Sequence, residues 1–183
     1  YGDRTGELKA GSWLIPADAS MEDIADIITR GGASTCGAEV IWRVGVNSAE
    51  AVLREFDTAT GGYEERAAFD PMDEDLSPPE IYQTVRDRPD TRFRIAFAEG
   101  VTSWQVVEGL RAVDVLEGEI AEVPDEGTLA PRSYELRAGK SRGDVLARMA
   151  EAQQVILAAA WDGRAEGLPL ENPQEVLILA SII

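Results

Sequence analysis

Apolar residues recur along this chain in two rhythms, one of period two and one of three to four. Residues 8–15 (LKAGSWLI) read as a strand following a glycine turn. Ser20 then caps an expected helix whose Met21, Ile24, Ile27 and Ile28 share one face, and Gly31-Gly32 closes it. Residues 93–97 (FRIAF) form a second strand and Glu99-Gly100 turns it. Thr102 or Ser103 caps a helix carrying Trp104, Val107, Leu110 and Arg111. The order strand, turn, helix thus occurs twice, which suits a small α+β subdomain.

The stretch between these units differs in character. Residues 38–46 (AEVIWRVGV) predict a strand, and Ser48 is expected to open a short helix with Ala51, Val52 and Phe56. From Glu55 to Asp90 there are 11 acidic residues against 3 basic ones, interrupted by Gly61-Gly62, Pro71 and Pro78-Pro79. This pattern predicts an acidic excursion with a mobile loop at residues 70–79, either solvated or docking a partner. Residues 119–140 are rich in loop signals, with a strand expected near Ser133–Leu136. A long helix is expected from Arg142 to Asp162, with Val145, Leu146, Met149, Ile156 and Leu157 as its buried stripe. Gly163 and Gly167 break it, and Pro169 lies beyond. Asn172, Pro173 and Glu175 carry the signature of a helix start. The apolar run that follows reaches Ile183 without a closing residue, so the chain reads as a piece of something longer.

Charge narrows the classes of partner. With 34 acidic and 17 basic residues the formal charge is −17. Such a chain repels nucleic acid and anionic membrane surfaces. There is no histidine, which removes Ser-His and Cys-His catalysis and the usual zinc sites. Cys36 stands alone, so no internal disulfide is possible and a packing role is expected. No apolar run approaches the ~18 residues of a membrane span, so an anchor would have to precede Tyr1. No metal and no cofactor is expected.

Three strings carry candidate chemistry. Glu126-Gly-Thr-Leu-Ala-Pro-Arg-Ser-Tyr134 (EGTLAPRSY) places a carboxylate, a turn glycine, a proline, a serine hydroxyl and a phenol within nine residues. It fits either an ordered turn feeding a strand or a cleft wall that hydrogen-bonds and stacks on a sugar ring. Trp161-Asp-Gly-Arg-Ala-Glu-Gly-Leu-Pro169 (WDGRAEGLP) reads as a helix end and turn with Trp161 packed beneath. Leu179-Ala-Ser-Ile-Ile183 (LASII) has small residues, Ala180 and Ser181, that let another segment approach the helix.

Taken in order, these strings resemble the YceG-like family, the endolytic murein transglycosylases (MltG). The resemblance runs from LKAGSW and its Ser20-x-x-Asp23-Ile24 helix through AEGVTSWQVVEGL, EGTLAPRSY and WDGRAEGLPL to LASII. It covers the chain except roughly residues 34–91. It implies an α+β fold: a LysM-like strand-helix subdomain over residues 1–118, interrupted by an acidic insertion at about 34–91. The start of a YceG-type catalytic domain would then occupy residues 119–183. In the family, Leu-Ala-Ser-Ile-Ile/Val is followed directly by a glutamate that serves as acid and then base. The implied reaction cuts a glycan strand internally between N-acetylmuramic acid and N-acetylglucosamine, leaving a 1,6-anhydro end.

The family motif maps Glu126, Ser133, Tyr134 and Ser181 to the substrate cleft and assigns no catalytic residue within 1–183, so this chain alone is expected to be inactive. Arg132 and Ser133 depart from the acid and threonine usual at those two places. The implied partners are peptidoglycan glycan strands and the cell-wall synthesis machinery, at the periplasmic face of a bacterial inner membrane. Two other functions compete. One is a non-catalytic glycan-binding or scaffold module. The other is an aminodeoxychorismate lyase, whose Schiff base could form only at Lys9 or Lys140, the two lysines present.

Overall fold

The computed structural model describes residues 13, 15–30, 36–73 and 75–182. Their elements are α1 (Met21–Arg30), β1 (Ala38–Val44), β2 (Ala49–Asp57), β3 (Gly62–Phe69), α2 (Glu80–Arg86), β4 (Thr91–Phe97), α3 (Ser103–Arg111), β5 (Ser133–Leu136), α4 (Arg142–Asp162) and α5 (Pro173–Ala180). The fold is α+β, with strand order β3-β2-β1-β4-β5. The expected strand over residues 8–15 lies almost wholly outside the described residues. Two compact units divide the chain. One draws on Tyr1–Arg43 and Glu50–Arg94, the other on Val44–Ala49 and Ile95–Ile183.

The first unit packs around Val40, Trp42, Val52, Leu53 and Tyr82, all essentially buried. Trp42 meets Tyr82 edge-on at 6.4 Å and Phe93 at 6.0 Å, and Tyr82 meets Phe69 at 5.0 Å. Such pairs add about 0.5–1.5 kcal/mol each beyond burial. The helix expected from Ser48 is instead the strand β2. Ala51, Val52 and Leu53 are buried consecutively, which a half-exposed helix cannot achieve and a strand between two neighbours does. β2 pairs antiparallel with β3, Ala51 opposite Phe69 and Asp57 opposite Gly62, with an irregularity between Leu53 and Arg54.

The acidic stretch therefore carries β3 and α2, and α2 contributes Tyr82 and Val85 to the core. Within residues 70–79, the carboxylates of Asp70 and Asp73 accept from the N–H groups of Met72 and Asp75 at 2.9 and 3.0 Å, a local aspartate-turn arrangement. α1 begins as read: Asp23 N–H donates to Ser20 Oγ and the Asp23 carboxylate accepts from Ser20 N–H. Ile24, Ile27 and Ile28 are half-buried, but Met21 is exposed.

The second unit is built on α3 and α4. Thr102 and Gln105 form a reciprocal capping box at the start of α3. Val106, Val107 and Leu110 are buried. Gly109 permits a close approach, because a Cβ there would meet Val44 Cγ2 at 2.6 Å. Trp104, expected among the helix's apolar positions, is 59% exposed. α4 spans the expected residues, with Ser141 accepting from Gly143 N–H as its cap. Only the first half of its stripe is buried, at Val145 and Met149. Ile156 is exposed. Arg142 fixes α4 to the end of α3: its guanidinium donates to the carbonyls of Leu110 (2.8 Å), Val113 (2.9 Å), Gly118 (3.0 Å) and Arg111 (3.3 Å).

Candidate functional site

α3 has no acidic residue in its first turn, so its positive end lacks an intrinsic counter-charge. Glu126 supplies one from the neighbouring loop. Both its carboxylate oxygens accept from the Ser103 N–H at 3.0 Å. This adds a charge-assisted bond to a helix N-terminus that already favours anions. Ser103 is buried, and its hydroxyl donates to the Asp125 carbonyl at 3.2 Å. Thr128 donates to the same carbonyl at 2.6 Å. The turn is thus tied down from both sides of Glu126.

The next residue, Gly127, has φ of +78°, a region that disfavours side chains. A Cβ there would lie 2.8 Å from Leu177 Cδ2 on α5. The bare backbone of the EGTLAPRSY turn is therefore the seat of α5, at Leu177. Asn172 caps α5 by accepting from Glu175 N–H at 3.1 Å, and Glu175 in turn accepts from Glu171 N–H at 2.7 Å. Ser181 is the C-cap, exposed, with its hydroxyl donating to the Ile178 carbonyl at 2.7 Å.

At the other end of the string, the Arg132 carbonyl accepts from Phe97 N–H at 3.1 Å, which aligns β5 with β4. Ser133 and Tyr134 then alternate, the serine exposed and the tyrosine buried. The Tyr134 hydroxyl donates to the Ala130 carbonyl at 2.8 Å, and the Arg148 guanidinium lies 5.9 Å from the ring centroid. Burial pushes the Tyr134 phenol above its ordinary value, against the opposing charges of Arg132 and Arg148.

Of the four candidate residues, Glu126 and Ser181 belong to the turn and helix that pack together through Gly127 and Leu177. Ser133 stands on the open side of β5. Tyr134 points inward with its hydroxyl occupied. Sequence reasoning named Ser103 only as an alternative helix cap and did not single out Leu177. The capping signal of Thr102 to Gln105 could have indicated Ser103, since it leaves the next N–H without a partner.

Against this geometry, the model of the YceG-like family matches residues 15–183. No curated protein matches the chain. Among the described residues no helix is long and apolar enough to cross a membrane.

Proposed function

The chain belongs to the YceG-like family, the MltG transglycosylase family, and from that premise we propose that it is part of an enzyme cleaving peptidoglycan glycan strands internally between N-acetylmuramic acid and N-acetylglucosamine. The observation that carries the reading is the family match over residues 15–183, with Leu177 of α5 lying against Gly127 of the EGTLAPRSY turn. In this chemistry one glutamate protonates the glycosidic oxygen and then takes the proton of the muramyl 6-hydroxyl, which closes a 1,6-anhydro ring. No second carboxylate is required.

On this reading the glutamate would stand directly after the position of Ile183. α5 would then be its support, and the contact of Leu177 with Gly127 would set where the acid stands relative to the 126–134 wall. Glu126 is an unsuitable substitute, because both oxygens are engaged with α3. Working at the periplasmic face of the inner membrane, behind an N-terminal anchor, and alongside cell-wall synthesis is part of the same proposal.

The test is digestion of purified peptidoglycan with mass analysis of the soluble products. A polypeptide of residues 1–183 should stay at background. A longer chain carrying the glutamate should release anhydro-muramyl fragments, and its Glu→Gln variant should lose about 10²–10⁴ in rate. Anhydro products from residues 1–183 alone would overturn the assignment.

A glycan-binding role for this part of the protein has one specific support: Trp104 is 59% exposed at the capped end of α3, an open indole face beside polar groups. Quenching of tryptophan emission by chitotetraose, lost in Trp104→Ala, would register it.

A further inference from the structure

A second cleft lies just past the far end of the same string. Leu116, Glu135, Leu136, Arg137, Lys140, Ser141, Asp144, Val145 and Arg148 enclose a cleft of about 290 Å³. That is at the small end of ligand sites, which run roughly 300–1,000 Å³. It suits an amino-acid residue or a short peptide end better than a run of sugar rings. Its floor is apolar and buried at Leu116, Leu136 and Val145. Its rim holds three cations and two carboxylates.

These five charges are not paired with one another. Among the described residues, none of them takes part in an ion pair within 4 Å, whereas Arg43, Arg54, Arg66, Arg86, Arg88, Arg92, Arg94 and Arg111 all do. Arg148 is held in place without being neutralised. One guanidinium N–H donates to the Glu135 carbonyl at 2.9 Å, and its plane approaches the buried Tyr134 ring. A guanidinium fixed by a carbonyl and an aromatic ring keeps its charge and has donors to spare. The loop that carries Arg137 and Lys140 is pinned too. Glu117 N–H donates to the Lys140 carbonyl and Arg142 N–H to the Glu117 carbonyl, both at 2.9 Å. The site is pre-organised, with an apolar floor and charges of both signs on its rim.

We propose that this cleft binds a short peptide bearing both a free carboxylate and a free amine, with Arg137, Lys140 and Arg148 holding the carboxylate and Glu135 and Asp144 the ammonium. Resting on the glycan-cleaving reading, the ligand is the peptide stem borne by the muramyl sugar. Tyr134 then serves as a positioning residue, acting through Arg148 and not through contact with the ligand. The cleft would report whether a strand carries peptides beside the scissile bond.

The experiment is an amide-resolved NMR titration of the chain with three probes. These are muramyl tripeptide ending in lysine, which carries carboxylate and amine; muramyl dipeptide, which carries carboxylate only; and chitotetraose, which carries neither. The tripeptide should shift amides in 135–148 and bind at least about five-fold more tightly than the dipeptide. Chitotetraose should leave those amides still. Arg137→Glu with Lys140→Glu, two exposed residues with no ion-pair partner among the described ones, should keep the fold and lose tripeptide binding about ten-fold or more. Equal shifts from chitotetraose, no shift from the tripeptide, or equal competition by inorganic phosphate would each overturn the proposal. Lysis by the longer chain is measured separately. A peptide-binding cleft without any anhydro products would refute the lyase and leave the cleft standing.

Discussion

Arginine does different jobs in the two units. In the first, it meets carboxylates. Glu39, only 5% exposed, receives Arg54 at 2.5 Å with Arg94 at 3.5 Å and Arg92 at 3.9 Å, and Glu55 is shared by Arg66 and Arg88. In the second, it meets carbonyls. Arg142 donates to four, Arg148 to Glu135, and Arg164 to Trp161 while stacking 3.6 Å from the Trp161 ring centroid. Arg111 does both, pairing with Glu108 and donating to Ile120. The distinction has a physical consequence. A carboxylate cancels the arginine's field, but a carbonyl satisfies its hydrogens and leaves the net charge in place. Arg142, Arg148 and Arg164 therefore keep their own charge, although the chain as a whole carries a net charge of −17.

The largest effect that would break this contrast is at Glu39. Glu39→Gln leaves three partly buried guanidiniums around one neutral amide, and stability measured by urea unfolding should fall by about 3 kcal/mol, as for a severed buried ion pair. A loss under about 1 kcal/mol would mean that the first unit's charges are solvated, not structural. Next is Arg142→Ala, expected to cost about 2–3 kcal/mol, with Arg142→Lys recovering little because an ammonium cannot fork across four carbonyls. Full recovery by lysine would show that charge, not geometry, joins α4 to α3.

Gly127→Ala should cost about 1–2 kcal/mol, from the positive φ and the clash with Leu177. Hydrogen exchange should place the loss of protection in α5. The smallest effect is Tyr134→Phe, about 1 kcal/mol from the lost bond to Ala130. It has a pH signature. A phenol raised above its ordinary value of 10.0 contributes stability that is present below that pH and lost as pH rises through the folded value. The wild type should therefore lose more stability than the phenylalanine variant under alkaline titration. Asp90 works at the opposite end. Arg88 holds its carboxyl below the ordinary 3.8, so its contribution is present above that value and fades as pH falls through the lower one.

Much of the second unit was legible from residue order. α4 ends where Gly163 follows it, β5 occupies the expected four residues, and the Thr102 cap stands where the hydroxyl precedes the apolar period. These are local signals, each satisfied within a turn or two. The first unit was harder because its elements depend on partners distant in sequence. Ala51, Val52 and Leu53 form an apolar run with no period of its own, and only β1 and β3 on either side make it a strand. β3 hid behind Glu64, Glu65 and Arg66, all exposed, which read as solvated loop. The same limit applies to the candidate site. The motif singles out Tyr134 as a candidate, but not the bond of its hydroxyl to Ala130 or the approach of its ring to Arg148.

The Glu126-Gly127 turn offers its carboxylate to one helix and its bare backbone to another. The two helices thus share a single fulcrum. A one-residue insertion anywhere in 126–128 would displace the anchor of α3 and the seat of α5 together, whereas Gly127→Ala acts on the seat of α5 alone.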